Sequence, residues 1–251
     1  MRKQESIEEM KMMLEASKRV VVFTGAGIST ESGIPDFRSP GGFWTRHQPI
    51  HFSDFIASKQ MRRESWRRKM AADEAFSRAE PNQGHRAIAH LVRQGRVRSV
   101  ITQNIDGLHQ RSGVPDEKVI ELHGNGTYAA CLRCARRYEL APLLAAFKTD
   151  EEPPVCADCG GLIKTATISF GQPMPGDAMR RAQRESETCD LFLALGSSLV
   201  VYPAAGFPVL AKRNGARLVI LNRDPTDLDE VADLVLHLEI GPTLGEVTGV
   251  D

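Results

Sequence analysis

Runs of consecutive apolar, often β-branched residues recur along the chain at 20–24, 97–102, 119–122, 191–195, 218–222 and 234–238, each closed by glycine or polar turn residues. Strands with one wet face alternate apolar and polar positions, whereas strands covered on both faces do not, so these runs predict the buried strands of a parallel sheet. Helical spacing lies between several of them, at 81–94, 177–187 and 204–214. At the N-terminus Ile7, Met10, Met13 and Leu14 recur at the same spacing and predict an amphipathic first helix. Alternating strand and helix predicts the α/β class: a Rossmann-like open parallel sheet with helices on both faces.

Two stretches break the rhythm. Residues 38–80 carry Arg- and Lys-rich helical text around MRRESWRRKM, and residues 125–165 hold most of the cysteines and a Pro-rich turn. Both read as insertions beside the crevice at the carboxyl ends of the strands. The expected organisation is one catalytic domain over 1–251, with its core at about 1–37, 81–124 and 171–251, a helical insert at about 38–80 and a metal-binding module at about 125–170.

Composition narrows the function. The chain has 251 residues, and 32 basic against 32 acidic side chains leave no net charge to attract a polyanion, which argues against direct nucleic-acid binding. No apolar run approaches the roughly 20 residues of a membrane span, and the N-terminus lacks a signal-peptide pattern, so a cytoplasmic monomer is expected. Of five cysteines, four form two CxxC pairs, Cys131 with Cys134 and Cys156 with Cys159. That pattern predicts a structural zinc ion closed by four thiolates, with Arg133, Arg136 and Arg137 placed to offset its charge. Cys189 reads as a small buried hydrophobe.

The first strand runs straight into Gly25-Ala26-Gly27, where glycines permit a tight turn and close approach to a pyrophosphate. Thr30 stands where a dehydrogenase fingerprint has its third glycine, and Asp36-Phe37-Arg38 follows, so hydride transfer loses ground. Further polar clusters close later strands: Thr102-Gln103-Asn104-Ile105-Asp106, and Glu121-Leu122-His123-Gly124.

Taken in order, GAGIS, SGIPDFRS, TQNIDGLH, LHG, the paired CxxC motifs, FGQ, LGSSLVVYPAA and LNRD resemble the sirtuin family over about residues 15–245. The resemblance implies an NAD-dependent protein lysine deacylase, chiefly a deacetylase, yielding nicotinamide, O-acetyl-ADP-ribose and free lysine. It implies that His123 is the base acting on a ribose hydroxyl, with Asn104 beside it in the catalytic centre. Asn104, Ile105 and Asp106 would line the nicotinamide pocket, and Gln103 would hold the ribose. Ala26, Ile34 and Phe37 would wall it, while Gly25, Gly27, Ser29, Asp36 and Arg38 would lie near the phosphates and ribose. Gly196, Ser197 and Ser198 would continue those contacts, and Asn222, Arg223 and Asp224 would meet the adenosine end.

An acylated-lysine protein substrate would lie extended near Phe170-Gly171-Gln172 and Leu199-Val200. The chain departs from the family pattern at Lys164-Thr165 and Gln172. It also lacks the Tyr-x-x-Arg of members that remove acidic acyl groups, the nearest match being Glu64-Ser65-Trp66-Arg67, so weak desuccinylation is expected. Two other readings stand beside deacylation: a protein mono-ADP-ribosyltransferase, and a zinc-ribbon binding module with a vestigial dinucleotide site.

Overall fold

The computed structural model describes residues 3–36 and 48–251. In chain order the elements are α1 (Lys3–Ala16), β1 (Val20–Thr24), a 3-10 turn (Ala26–Ser32), α2 (Phe52–Ala57), α3 (Lys59–Arg78), α4 (Gln83–Arg93), β2 (Val97–Thr102), α5 (Leu108–Arg111) and β3 (Val119–Glu121). There follow β4 (Gly124–Cys131), β5 (Arg137–Glu139), α6 (Leu140–Asp150), β6 (Ile163–Thr167), α7 (Gly176–Thr188), β7 (Leu191–Leu195), α8 (Gly206–Arg213), β8 (Arg217–Leu221), β9 (Leu234–Leu236) and α9 (Ile240–Thr248).

Six strands form one parallel sheet in the order β3-β2-β1-β7-β8-β9. Every residue of β1 is buried, and its side chains part by the two-residue period of a strand. Val20 and Val22 join Met10 of α1, Ile88 of α4 and Leu244 of α9 in one core. Val21 and Phe23 face the other way, into a core with Ala182 of α7 and Phe207 and Ala211 of α8. Burial on both faces explains why the strands read as unbroken apolar runs. Thr24 pairs with Thr102 on one side and Leu195 on the other, so three strands end level with one another. Ligand crevices of open α/β sheets open at this edge.

The cysteine segment builds its own three-stranded antiparallel sheet, β5-β4-β6. Its core combines Ala129, Leu140, Phe147 and Ile163 with Trp66 from α3. Helix α3 is capped by Ser58, whose own backbone is extended and whose hydroxyl accepts from the Met61 amide. Asn82 caps α4 in the same way, and its amide donates to Ile28 O (2.6 Å) and Ser32 Oγ (2.9 Å), tying the helix to the 3-10 turn.

The predicted strands are present, with β8 beginning one residue early at Arg217 and β9 ending at Leu236. Helices α6 and α9 were not anticipated. The latter is coded by IGPTLGEVT, in which Pro242 falls in the first turn, where no intrahelical N–H is required. Glu31 of the 3-10 turn accepts from the Gly241 amide at 2.8 Å, supplying an acceptor to one of the unpaired donors of that turn.

Candidate active site and zinc centre

The turn after β1 is shaped by a second strand end. Gly27 N donates to Gly196 O at 2.8 Å, and a Cβ on Gly27 would lie 2.7 Å from Gly196 Cα. Gly196 has φ +63°, and a Cβ there would meet Ile28 N at 2.5 Å. The two glycine segments therefore require each other, since two backbones touch where side chains would stand. This requirement is separate from the close approach to a pyrophosphate that the motif suggested.

Beside this contact lies a cavity of about 850 Å³. Its wall includes Ala26, Gly27 and Asp36 from the first turn, Gln103, Asn104 and Ile105 after β2, and His123 after β3. Gly196, Ser197 and Ser198 after β7, and Asn222, Arg223 and Asp224 after β8, complete the core side. Phe170, Gly171 and Gln172 line it from the loop after β6.

Gln103 joins three of these strand ends. Its amide donates to Thr24 O (2.9 Å), its side-chain Oε1 accepts from Ser197 Oγ (2.8 Å), and its carbonyl lies 3.0 Å from His123 Nδ1. A carbonyl only accepts, so His123 carries its proton on Nδ1 and keeps the Nε2 lone pair. Burial holds this imidazole below its ordinary value of 6.5, with the bond to Gln103 opposing the shift in part. The result is a neutral imidazole on the cavity wall with one basic nitrogen, which can take a proton from a hydroxyl and return it.

Asn104 lines the cavity with its side chain already engaged: Nδ2 donates to Gly25 O and to Ser29 Oγ, both at 3.1 Å. Ser29 Oγ donates in turn to Asp106 Oδ2 at 2.7 Å, and Asp106 Oδ1 accepts from Leu108 N at 2.9 Å. Burial raises the Asp106 carboxyl above the ordinary range, against those two hydrogen bonds. Gly25, Ser29 and Asp106 thus stand directly behind the cavity surface, buried, and Ile34 is buried with Ala79 and Leu108 and does not line the cavity. Below them Thr24 Oγ1 donates to Thr102 Oγ1 (2.8 Å) and lies 2.9 Å from His109 Nε2. The His109 ring faces His85 at 5.1 Å between centroids, and burial drives their pKa values to about 4 and about 2.

The expected residues Phe37 and Arg38 lie outside the described residues. Neither Leu199 nor Val200 lines the cavity: the Leu199 side chain is buried in the core beside α7 and α8, and Val200 is exposed outside it. One wall was missed from sequence, that of Ser65, Arg68, Lys69, Ala72 and Phe76 on α3, together with Thr165, Thr167 and Tyr202. The 3.6-residue spacing of the α3 positions was the available signal.

Cys131, Cys134, Cys156 and Cys159 come together with all four sulfurs within 4.8 Å of one another. The Cys131–Cys159 and Cys134–Cys156 pairs stand 3.5 and 3.6 Å apart. These separations are far beyond a disulfide and near the ~3.8 Å edge of a tetrahedron built on a ~2.3 Å Zn–S bond. A Cβ on Gly161 would meet Cys131 Sγ at 2.7 Å, so the backbone itself crowds the sulfurs. Tyr138 Oη donates to Cys156 Sγ at 3.0 Å and Arg133 N to Cys131 Sγ at 3.4 Å, bonds that stabilise thiolates. The donor set fits zinc, with no position left for water. The expected arginine compensation is redistributed: Arg136 pairs with Asp158, Arg137 with Glu139, and Arg133 donates to Cys159 O.

At the zinc module's carboxyl end Lys164 is 3% exposed, its ammonium donating to Thr167 O at 2.5 Å. Burial lowers its pKa to about 8.

Residues 25–203 match the Sir2 family model. The chain is 58% identical over 243 residues to NAD-dependent protein deacetylase 1 of Bradyrhizobium diazoefficiens, covering 97% of this chain and 95% of that one. It is 55% identical to the NAD-dependent protein deacetylase of Rhodopseudomonas palustris, covering 97% and 96%. Among solved structures, a Sir2 enzyme with a p53 peptide and NAD superposes with a TM-score of 0.87 at 38% identity, covering 97% of each chain. A Sir2 variant with deacetylated p53 peptide and 3'-O-acetyl ADP-ribose gives 0.88 at 37%, covering 98% and 100%. With relatives this similar over nearly its whole length, the chain belongs to the Sir2 family.

Proposed function

We infer that the protein removes acyl groups, chiefly acetyl, from lysine side chains of proteins, consuming NAD and water and releasing nicotinamide, O-acetyl-ADP-ribose and free lysine. The observation that carries this reading is His123, fixed by Gln103 O as an Nδ1–H imidazole on a cavity wall shared with the glycine turn. The relatives are NAD-dependent protein deacetylases, and related Sir2 structures hold a p53 peptide with NAD, a propionylated peptide, or a deacetylated p53 peptide with 3'-O-acetyl ADP-ribose.

When bound, NAD supplies the ribosyl carbon from which nicotinamide leaves and the ribose hydroxyl that receives the acyl group. His123 takes the proton of that hydroxyl at Nε2. Gln103 holds the ribose and, through its carbonyl, the base. Asn104 and Ile105 face the nicotinamide end, with Asp106 and Ser29 bracing Asn104 from behind. Ala26, Gly27 and Gly196–Ser198 receive the phosphates and ribose, with Gly25 behind them, and Asn222, Arg223 and Asp224 receive the adenosine. Phe170–Gln172 and Val200 receive the peptide. Cys131, Cys134, Cys156 and Cys159 hold zinc as a brace with no chemical step of its own. Among the described residues, no helix is long and apolar enough to cross a membrane.

Mass spectrometry of acyl peptides incubated with enzyme and NAD tests the reading. Free lysine with O-acetyl-ADP-ribose is the expected result. A protein gaining ADP-ribose, with the peptide unchanged, would replace deacylation by ADP-ribosyl transfer.

A further inference from the structure

Helix α3 carries two working faces. At about 100° per residue, Lys59, Arg63, Trp66, Arg67 and Met70 fall within an arc of about 100°. Ser65, Arg68, Lys69, Ala72 and Phe76 fall within a second arc of similar width on the far side of the helix. The first arc is docked on the zinc module. Trp66 is 2% exposed, packs at 6.3 Å between ring centroids on Phe147, and shares a core with Cys131 and Cys156. Its indole N–H has no hydrogen-bond partner among the described residues, so the ring serves by shape. Around it, Lys59 and Arg63 pair with Glu152, Arg67 pairs with Glu151, and Arg63 Nε donates to Glu151 O at 3.1 Å. The second arc lines the cavity, and Phe76 at its far end packs against Ile34 and Leu108 of the core.

We propose that Trp66 is a positioning residue for deacylation, seating α3 on the zinc module so that the opposite face of the helix shapes the cavity wall met by the acyl peptide. On the cavity side Phe76 packs on Ile34 and Leu108 near the end of the helix, while the packing at mid-helix comes from Trp66 and Met70. Ion pairs this exposed contribute little stability each, and their use is to set the rotation of the helix about its axis. The residues expected to hold ADP-ribose, at the turn after β1 and after β7 and β8, are on other elements. A shift of α3 therefore alters peptide use and leaves ADP-ribose binding alone.

The proposal rests on the deacylase reading, and its test has arms that need no turnover. In full-length enzyme, Trp66→Ala raises KM for an acetyl peptide about tenfold or more while ADP-ribose affinity and zinc content stay within about twofold. Trp66→Phe, which keeps a ring on Phe147, recovers most of the loss. Arg67→Glu, an exposed change that leaves the core intact, raises the same KM, and adding Glu151→Arg restores it. In a Trp44→Phe background, Trp66 is the remaining tryptophan, and acetyl-peptide binding shifts its emission without NAD present. Lowered thermal stability with unchanged kcat and KM would reduce Trp66 to a packing residue and overturn the proposal. Loss of ADP-ribose affinity in step with peptide KM would overturn it too. Absence of deacylation by the wild-type enzyme, with the fluorescence shift intact, would fault the reaction assignment alone.

Discussion

His123 and Gln103 are joined by a hydrogen bond in which imidazole Nδ1 stands 3.0 Å from a backbone carbonyl, and that bond decides which nitrogen is basic. Because the acceptor is main chain, no substitution at 103 removes it directly. Replacing His123 with Ala is expected to lower kcat by about 10²- to 10⁴-fold while NAD affinity changes about threefold or less. Single-turnover kinetics and calorimetric NAD titration measure the two. The neutral form is the active one and burial lowers its pKa, so activity is lost on acidification only below 6.5. An acid limb centred above 6.5 in kcat/KM contradicts the assignment.

The buried pair His85 and His109 makes stability depend on acid. Unfolded imidazoles take up protons near 6.5, but the folded ones do so only at about 2 for His85 and about 4 for His109. Stability is therefore complete above 6.5 and falls as pH drops, by about 1.4 kcal/mol per pH unit for each group, until each folded value is reached. His85→Phe is expected to make the slope of unfolding free energy shallower by about that amount between about pH 6 and about pH 4.5. Parallel slopes in urea titrations of variant and parent refute the claim.

Gly196→Ala tests the contact between the two glycine segments. The change places a Cβ at φ +63° and 2.5 Å from Ile28 N. Strain and overpacking together are expected to cost about 2–5 kcal/mol, and the displaced turn to lose NAD. Urea unfolding and NAD titration on the same sample read both effects; full retention of NAD affinity would show that the turn tolerates the separation.

Acyl preference follows from how the cations near the cavity are spent. On the α3 wall of the cavity, Arg68 Nε donates to Glu64 at 2.7 Å and Lys69 donates to Asp73 at 2.8 Å. A carboxylate-ended acyl group would enter the cavity and have to displace one of these partners or stay unpaired, at a cost of several kcal/mol. Matched peptides analysed by mass spectrometry are expected to lose succinyl at least about tenfold more slowly than acetyl. Faster succinyl release would show that one cation is available.

Much of this was legible in the chain because burial on both faces leaves an unmistakable pattern. Val20–Thr24, Val97–Thr102 and Leu191–Leu195 are strands with the expected bounds. The cysteine spacing likewise carried the zinc site by itself. Less legible were features whose reason lies in another part of the chain. Helix α9 hides behind glycines and a proline because its start is held by Glu31. The α3 wall hides in an arginine-rich segment because its two faces are satisfied by different partners, neither adjacent in sequence. Arg136 and Arg137, assigned to the thiolates from proximity in sequence, find carboxylates closer at hand. His123 as base needed the family resemblance, and the tautomer that makes the role workable is set by a carbonyl from residue 103.

The level ends of β1, β2 and β7 carry a consequence for assembly. Thr24, Thr102 and Leu195 become neighbours only when strands far apart in the chain have paired in the right register. A partly folded chain has no half-strength site, because the turn at Gly27 and the strand end at Gly196 complete each other. NAD is thus a ligand of the finished sheet alone, and a saturating concentration favours the native state by mass action. In a maturing chain, the appearance of NAD protection would mark the pairing of β1 with β7, before any turnover.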